Sequence, residues 1–440
     1  MSLGPIKQAI IIAGGEGTRL RSLGGTNPKA LTVIGERTVL DYQLEQLAQF
    51  GFQEVVMFVG YGARQIEEHV SLCKPPQLKI TFRHEIHARG TIGGVLEHMT
   101  ELDEQFLIVY GDIVFSMDLE RLCMAHLDNR AALTLVVHPN DHPYDSALIS
   151  TDENHFVTAI HSYPHGQDTF LPNRANSSVF VMNRECLENQ NFSGQAKIDL
   201  CKDLIPRLIQ QEKSIFAYST REYIKDMGTP KRLRKVERDL SSGKVDNLNW
   251  KNKVPAVFLD RDGTLTSGKG YIVSPSQLEL YPGVAEAIKC LNVAGILAVL
   301  VTNQPVIARG DCTVEELHLI HNKLSTLLGQ EGAYLDAIYF CPHHPDSGYE
   351  GEVAGLKIDC NCRKPKAGML LQASIELNVD LERSWMIGDS TGDIKAGELA
   401  GVKTILVHTG MAGRDQKFSV SPVFESADLA SAVEIALSGI

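Results

Sequence analysis

No stretch of this 440-residue chain approaches the ~18 consecutive apolar residues of a membrane-spanning helix, so no helical span is expected. The opening residues, Met1-Ser2-Leu3-Gly4-Pro5, lack the basic-then-apolar pattern of a secretory leader. Cysteine is sparse. Of nine, Cys73, Cys123, Cys186, Cys201, Cys290 and Cys312 are scattered singly, which excludes a disulfide framework and points to a reducing, cytoplasmic compartment. An excess of positive charge is missing as well: 42 Lys and Arg stand against 54 Asp and Glu, a formal net charge of −12. That balance argues against a protein that coats nucleic acid and for no particular partner. Internal repeats and low-complexity tracts are absent. What remains is an ordinary soluble globular composition, 43% hydrophobic and 22% charged, long enough for two to three domains. Oligomeric state is left open.

The most informative stretch present is Cys341-Pro342-His343, followed by Cys360-Asn361-Cys362, which runs straight into Arg363-Lys364-Pro365. Three thiolates and an imidazole in two tight pairs match a closed, tetrahedral structural zinc site. Such a metal orders a loop that has no core of its own. The loop carries Lys364, and a fixed cation suggests an anion to be held.

Two buried-strand signals open two separate α/β patterns. Ala9-Ile10-Ile11-Ile12-Ala13 starts the first and Ala256-Val257-Phe258-Leu259-Asp260 the second, each followed at once by a polar loop bearing glycine. Helices are expected over about 38–50 and 62–70, with strands over 54–59, 79–82 and 106–110. The later runs 297–301, 384–389 and 404–407 repeat the logic. Alternation of this kind predicts two doubly wound, mostly parallel α/β domains with ligands at the carboxyl ends of the strands. The stretch 241–253 is polar, lacks a helical stripe and reads as a linker. The expected domains are therefore 1–245 and 254–440, joined by 246–253.

In the first half, Gly14-Gly15-Glu16-Gly17-Thr18-Arg19-Leu20 follows the opening strand, and Pro28-Lys29 lies downstream. Glycines let backbone N–H groups approach a triphosphate, Arg19 can fork across phosphate oxygens, and Lys29 adds a point charge. A glycine-rich turn alone is equally a tight strand–helix connection, but the whole string is more specific. Its spacing is neither that of a Walker loop nor that of the dinucleotide fingerprint. On these residues, 8–240 resemble the sugar-1-phosphate nucleotidylyltransferases. Gly90-Thr91-Ile92-Gly93-Gly94, with Glu85 before it, resembles the base-recognition loop of that family. Gly111-Asp112 resembles its strand-end metal aspartate, and Asp226-Met227-Gly228-Thr229-Pro230 its second. The resemblance implies in-line attack of a sugar phosphate oxygen on the α-phosphorus of a nucleoside triphosphate, with pyrophosphate leaving. It further implies catalytic roles for Arg19 and Lys29, nucleotide contacts from Gly14, Gly15, Gly17, Thr18, Arg19, Lys29 and Gly90, and Mg²⁺ at Asp112 and Asp226. Two segments depart from the pattern. Ser162-Tyr163-Pro164 stands where the family carries Glu-Lys-Pro, and Asn176-Ser177-Ser178 stands for Asn-x-Gly. His165 and Arg174 are the candidates for the missing positive charge.

In the second half, Asp260-Arg261-Asp262-Gly263-Thr264 ends a buried strand, with two carboxylates on one side of an extended chain. One can attack phosphorus while the other manages protons. Val301-Thr302-Asn303-Gln304 ends a second strand with a hydroxyl and amides, Arg363-Lys364 brings positive charge, and Gly388-Asp389-Ser390-Thr391-Gly392-Asp393 adds carboxylates. An Asp-x-Asp pair alone is often only a turn, but four strand-end motifs in order are specific. Residues 254 to about 412 resemble the haloacid-dehalogenase (HAD) phosphatases, in the branch with a minimal cap and a zinc loop that includes D-glycero-D-manno-heptose 1,7-bisphosphate 7-phosphatase and, more distantly, histidinol-phosphatase. Ile307-Ala308-Arg309-Gly310, Cys341-Pro342-His343-His344-Pro345 and Cys362-Arg363-Lys364-Pro365-Lys366-Ala367-Gly368-Met369 also carry the likeness. It implies that Asp260 is the nucleophile and Asp262 the acid–base group. Thr302, Asn303, Arg363 and Lys364 would hold phosphate. Mg²⁺ would sit on Asp260, the Asp262 carbonyl and Asp389, with Asp393 in support, and Zn²⁺ on Cys341, His343, Cys360 and Cys362. His344 competes with His343 by adjacency, although Cys-x-His is the family spacing. Pro305-Val306 and the long interval before Cys360 depart from the family.

Together the halves imply a bifunctional enzyme acting on small-molecule substrates. The phosphatase would release heptose 1-phosphate, and a guanylyltransferase-like domain would join it to GMP from GTP. Two readings stay open beside it: a nucleotide-binding regulatory domain on an active phosphatase, and a different sugar phosphate or histidinol phosphate as substrate.

Overall fold

The computed structural model describes residues 4–15, 27–166, 169–268, 270–348 and 350–440. The chain divides into two compact units. The first comprises Met1–His138, Ser146–Tyr163 and Arg174–Lys251, and the second Pro139–Asp145, Pro164–Asn173 and Asn252–Ile440.

Unit 1 is built on a nine-stranded sheet. From Gln105–Tyr110 out to the edge strand, Gln105–Tyr110, Gln8–Ala13, Glu54–Val59 and Lys79–His84 run parallel, as the alternation of strands and helices predicts. Beyond Gln105–Tyr110 the sheet turns mixed, because Ala175–Asn183 joins it antiparallel. The helix Val39–Gln49 shows how local sequence sets the elements. Thr38 and Asp41 form a capping box at its start, and Val39, Leu40, Gln43, Leu44 and Leu47 recur at helical spacing on the buried face. Apolar clusters cover both faces of the sheet, one around Ile11, Met57 and Leu107, the other around Ile10, Phe58 and Phe106.

Residues 246–251 of the expected linker are instead an ordered part of unit 1. A short helix, Lys244–Asn247, follows the helix Pro230–Ser241, and Val245, Leu248 and Asn249 are buried. Arg221 Nη1 donates to the Leu248 carbonyl at 2.7 Å, and the Arg121 guanidinium lies 3.7 Å from the centroid of a Trp250 ring. The sequence hid this because cation–π and side-chain-to-carbonyl contacts leave no hydrophobic period.

Unit 2 carries a six-stranded, all-parallel sheet in the order Ala337–Cys341, Leu297–Asn303, Ala256–Leu259, Trp385–Gly388, Lys403–Val407, Phe424–Ser426. The chain winds outward from Ala256–Leu259 in one direction, then returns and winds out in the other. That reversal opens a crevice at the carboxyl ends of Ala256–Leu259 and Trp385–Gly388. Two segments of earlier sequence complete the unit, and Asn322 Nδ2 donates to the Phe170 carbonyl at 3.3 Å. Among the described residues no helix is long and apolar enough to cross a membrane.

Candidate active sites

In unit 1 Gly14, just after Gln8–Ala13, and Gly94 meet around one carboxylate. A methyl group built on Gly14 would lie 2.5 Å from Glu85 Oε2, and one on Gly94 2.5 Å from Oε1, so only glycine at both places leaves room for Glu85. Burial, then the nearby Glu97, pushes the Glu85 carboxyl up. Gly90 has φ +85 and its absent Cβ would strike the Ile198 carbonyl at 2.3 Å. This close approach is tied by Ile198 N donating to the Arg89 carbonyl at 2.8 Å. Gly15 has no described residue within 4 Å of where a side chain would start, and Gly17, Thr18 and Arg19 lie outside the described residues.

The two expected metal aspartates come together from distant sequence. The strands Ile113–Ser116 and Tyr223–Asp226 pair antiparallel with Asp226 opposite Ile113, and Met227 N donates to the Asp112 carbonyl at 3.0 Å. Lys29 Nζ lies 2.7 Å from Asp112 Oδ2. Asp226 Oδ1 accepts from Gly228 N and Arg232 Nη1, both at 2.9 Å. Two strand-end carboxylates, each beside a cation, suit a polyphosphate with a divalent counter-ion, because that ligand would take over both kinds of charge. Arg232 had not been singled out from the sequence, where it is one basic residue of a basic helix. Of the departures, Ser178 adopts φ +61 inside the strand Ala175–Asn183, where the register against Leu133–His138 shifts, a left-handed conformation that glycine adopts more readily. Arg174 is committed to Thr151 Oγ1, and burial pulls its guanidinium down. His165 falls in a segment of unit 2.

In unit 2 the expected residues converge on the crevice. Lys364 Nζ reaches Asp260 Oδ1 at 2.6 Å, Asp393 Oδ1 at 2.5 Å and the Val301 carbonyl at 2.7 Å. Asp393 also closes the capping box of the helix Thr391–Ala400 through Ser390, so one carboxylate fixes both a helix start and the lysine. Burial, against the pull of Lys364 and with repulsion from Asp393 and Asp389, pushes Asp260 up to about 8. Burial and Asp393 likewise push Asp389 up to about 7. The Lys364 ammonium is pulled down by burial, but Asp260 and Asp393 outweigh this and hold it above its ordinary range. Asp389 Oδ2 accepts from Met411 N at 2.6 Å in a cradle that a Cβ on Gly263 or Gly410 would fill, at 2.2 and 2.1 Å. Carboxylate oxygens of Asp260, Asp389 and Asp393 lie within 4.8 Å of one another. Three buried carboxylates against one lysine leave excess negative charge that a divalent cation would offset, so the donor set fits one.

Asn303 differs from expectation. Its Oδ1 accepts from Lys364 N at 3.0 Å and its Nδ2 donates to the Lys364 carbonyl at 2.9 Å, so it grips the lysine's backbone rather than presenting a free amide to phosphate. Thr302 is buried and its Oγ1 accepts from Gln304 Nε2 at 2.8 Å. Arg363 Nη1 donates to the His343 carbonyl at 3.1 Å, joining it to the cysteine loop. Asp262 is held by Arg261, whose side chain is fully buried. Arg261, Gln304 and the Gly410 turn carried no distinct signal in the sequence beyond their places beside the motifs.

The Cys/His loop forms a metal-ready cluster. The donors of Cys341, His343, Cys360 and Cys362 lie within 4.8 Å of one another. Separations of 3.7 Å (Cys341 Sγ to His343 Nδ1), 3.5 Å (Cys341 to Cys360) and 3.2 Å (Cys362 to Cys360) approach the edges of a tetrahedron. Bonds of about 2.0–2.3 Å give edges of about 3.3–3.8 Å. His344 stands outside the cluster, and its Nδ1 accepts from Asp346 N at 3.2 Å.

Comparison with known proteins places this geometry among relatives. A family model described as nucleotidyl transferase matches residues 8–243, and one described as HAD-hydrolase-like matches residues 361–432. D-glycero-beta-D-manno-heptose-1,7-bisphosphate 7-phosphatase of Yersinia pestis is 46% identical over 158 residues, covering 36% of this chain and 82% of that protein. The enzyme of that name from Pasteurella multocida is 45% identical over 177 residues, covering 40% and 94%. The solved structure of HddC from Yersinia pseudotuberculosis is 23% identical, covering 53% of this chain and 100% of that one, with a TM-score of 0.46.

Proposed function

Because the chain belongs to the nucleotidyl transferase family through residues 8–243 and also to the heptose-1,7-bisphosphate 7-phosphatases, we propose that it performs two consecutive steps of sugar-nucleotide synthesis. In the first, the C7 phosphate of D-glycero-D-manno-heptose 1,7-bisphosphate is removed. In the second, the resulting heptose 1-phosphate takes GMP from GTP, and pyrophosphate leaves. The observation that carries this reading is the convergence of Asp260, Lys364 and Asp389 at the crevice of a parallel sheet, in a chain that also pairs Lys29 with Asp112 and bonds the backbone beside Asp226 to that of Asp112.

For the phosphatase, an Asp260 oxygen attacks phosphorus and the P–O bond to the sugar breaks. Asp262 gives its proton to the leaving alkoxide, then takes one from the water that attacks the aspartyl-phosphate, which releases phosphate and restores Asp260. Lys364 and Thr302 hold the transferring phosphoryl oxygens, and Asn303 fixes Lys364 by its backbone. Arg363, bonded to the His343 carbonyl, would meet phosphate from the cysteine loop. A magnesium ion on Asp260, Asp389 and the Asp262 carbonyl would neutralise phosphoryl charge. Zinc on Cys341, His343, Cys360 and Cys362 would act structurally, fixing the segment that leads into Lys364.

For the transferase, a sugar phosphate oxygen attacks the α-phosphorus in line and the bond to pyrophosphate breaks, with alignment and charge neutralisation doing most of the catalysis. Gly14, Gly15 and Lys29, with Gly17, Thr18 and Arg19 of the same sequence string, are the residues we assign to the triphosphate, and a magnesium ion on Asp112 and Asp226 would offset its charge. GTP is supported by Glu85. Set between Gly14 and Gly94, its two oxygens suit the adjacent N–H donors on the Watson–Crick edge of guanine. The reactions described are those of a cytoplasmic enzyme with small-molecule substrates.

The test supplies heptose 1,7-bisphosphate, GTP and magnesium to the purified chain and measures both products with time. Phosphate should appear before pyrophosphate, and GDP-heptose should accumulate. Phosphate release with no pyrophosphate under any nucleoside triphosphate would refute the second step.

A further inference from the structure

Arg261 stands between the two aspartates of the phosphatase motif, yet no step above uses it. Its Nε and Nη2 donate to Oδ1 and Oδ2 of Asp262, each at 2.9 Å, in a two-pronged contact. Nη2 also donates to Gln304 Oε1 at 2.8 Å, and Gln304 Nε2 returns to Asp262 Oδ2 at 3.1 Å and to Thr302 Oγ1 at 2.8 Å. Thr266 Oγ1 donates to Asp262 Oδ1 at 3.3 Å. Behind the fork, Arg261 Nη1 meets His321 Nε2 at 3.3 Å. Burial and the guanidinium hold this imidazole well below the usual histidine range, so its neutral ring accepts the bond.

Charge compensation alone does not account for this arrangement. The Asp262 side chain is 32% exposed and water can solvate it, whereas the Arg261 side chain is 0% exposed and its desolvation is costly. What the network supplies is direction. A planar fork fixes the plane of a carboxylate in a way that a lone ammonium or water does not. Gln304 then ties that plane to the hydroxyl expected at the phosphoryl group.

We propose that Arg261 is a positioning residue of the phosphatase, orienting Asp262 for proton transfer to the leaving alcohol and from the attacking water, with Gln304 coupling that orientation to Thr302. The inference rests on the reading of Asp262 as the acid–base group.

The experiment compares leaving groups in the full-length, magnesium-supplied chain. An alkoxide needs a proton as it departs, whereas p-nitrophenolate leaves without one. Asp262→Asn sets the reference: single-turnover cleavage of an alkyl phosphomonoester should fall by about 10²-fold or more, and the initial release of p-nitrophenolate far less. Arg261→Met should show the same pattern at smaller size, about 10–100-fold in kcat for the alkyl ester and within about threefold for nitrophenolate release, with KM nearly unchanged. Arg261→Lys should recover part of the loss, and added guanidinium should restore Arg261→Ala. Gln304→Leu should give a smaller loss of the same kind, and it carries the test if the Arg261 variants do not fold. Equal losses on both substrates, or a change confined to KM, would overturn the inference while leaving the Asp262 reading intact. An Asp262→Asn variant that does not discriminate the leaving groups would overturn both.

Discussion

The ammonium of Lys364 lies 2.6 Å from the carboxylate of Asp260, with both groups buried. In Lys364→Met, Asp260, Asp389 and Asp393 lose their shared cation. Phosphate release should fall by about 10³-fold or more, and unit 2 should lose about 3–5 kcal/mol of stability for a broken buried pair. Urea unfolding followed alongside a phosphate assay checks both, and pyrophosphate release from supplied heptose 1-phosphate should be unaffected.

The donors of Cys341, His343, Cys360 and Cys362 gather within 4.8 Å of one another in the segment that leads into Lys364. Stripping zinc with a strong chelator, or replacing Cys362 with Ser, should cut phosphate release at least about tenfold, because Lys364 lies two residues from the last ligand. Limited proteolysis should then find new cleavage within 342–366. Protection that does not change on zinc removal would contradict a structural metal.

Asp226→Asn keeps the shape of the side chain and removes its charge. Pyrophosphate release should fall by about 10²–10³-fold while GTP binding, followed calorimetrically, changes by only a few fold. Unaltered turnover would mean that Asp226 serves only to hold Arg232 and Gly228 N.

His126 is enclosed by Thr134 Oγ1 at 2.9 Å and Asn183 Oδ1 at 3.0 Å, and burial pulls its imidazole down. Below a pH of about 6.5 the unfolded chain binds a proton at this position that the folded chain does not. Its contribution to stability is therefore present at neutral pH and is lost as pH falls through that value toward the lower folded-state pKa. The urea midpoint of the unit 1 transition should drop between pH 7.5 and 5.5, and part of that slope should vanish in His126→Asn.

Much of the fold and part of each site was legible in the sequence. The helix at 39–49 could be read because its capping box and apolar period are local signals. Asp260, Asp389 and the cysteine pairs could be read because strand ends and metal ligands keep characteristic spacings. The role of Asn303 could not, since an amide suited to phosphate is equally suited to a peptide, and only the fold places Lys364 against it. The order of residues 246–251 is not legible for a related reason: Trp250 and Leu248 are held by Arg121 and Arg221, more than twenty residues away in sequence.

Composition, strand-end motifs and ligand spacing by themselves determined the two α/β patterns and the chemistry each half can support. These follow from short-range rules of backbone conformation and donor type. The tertiary structure alone decided that Asn303 grips the backbone of Lys364, that Glu85 sits between two glycines, and that Asp262 lies in the grip of Arg261. Such choices depend on which distant side chains fill the same few ångströms, and packing sets that rather than spacing along the chain.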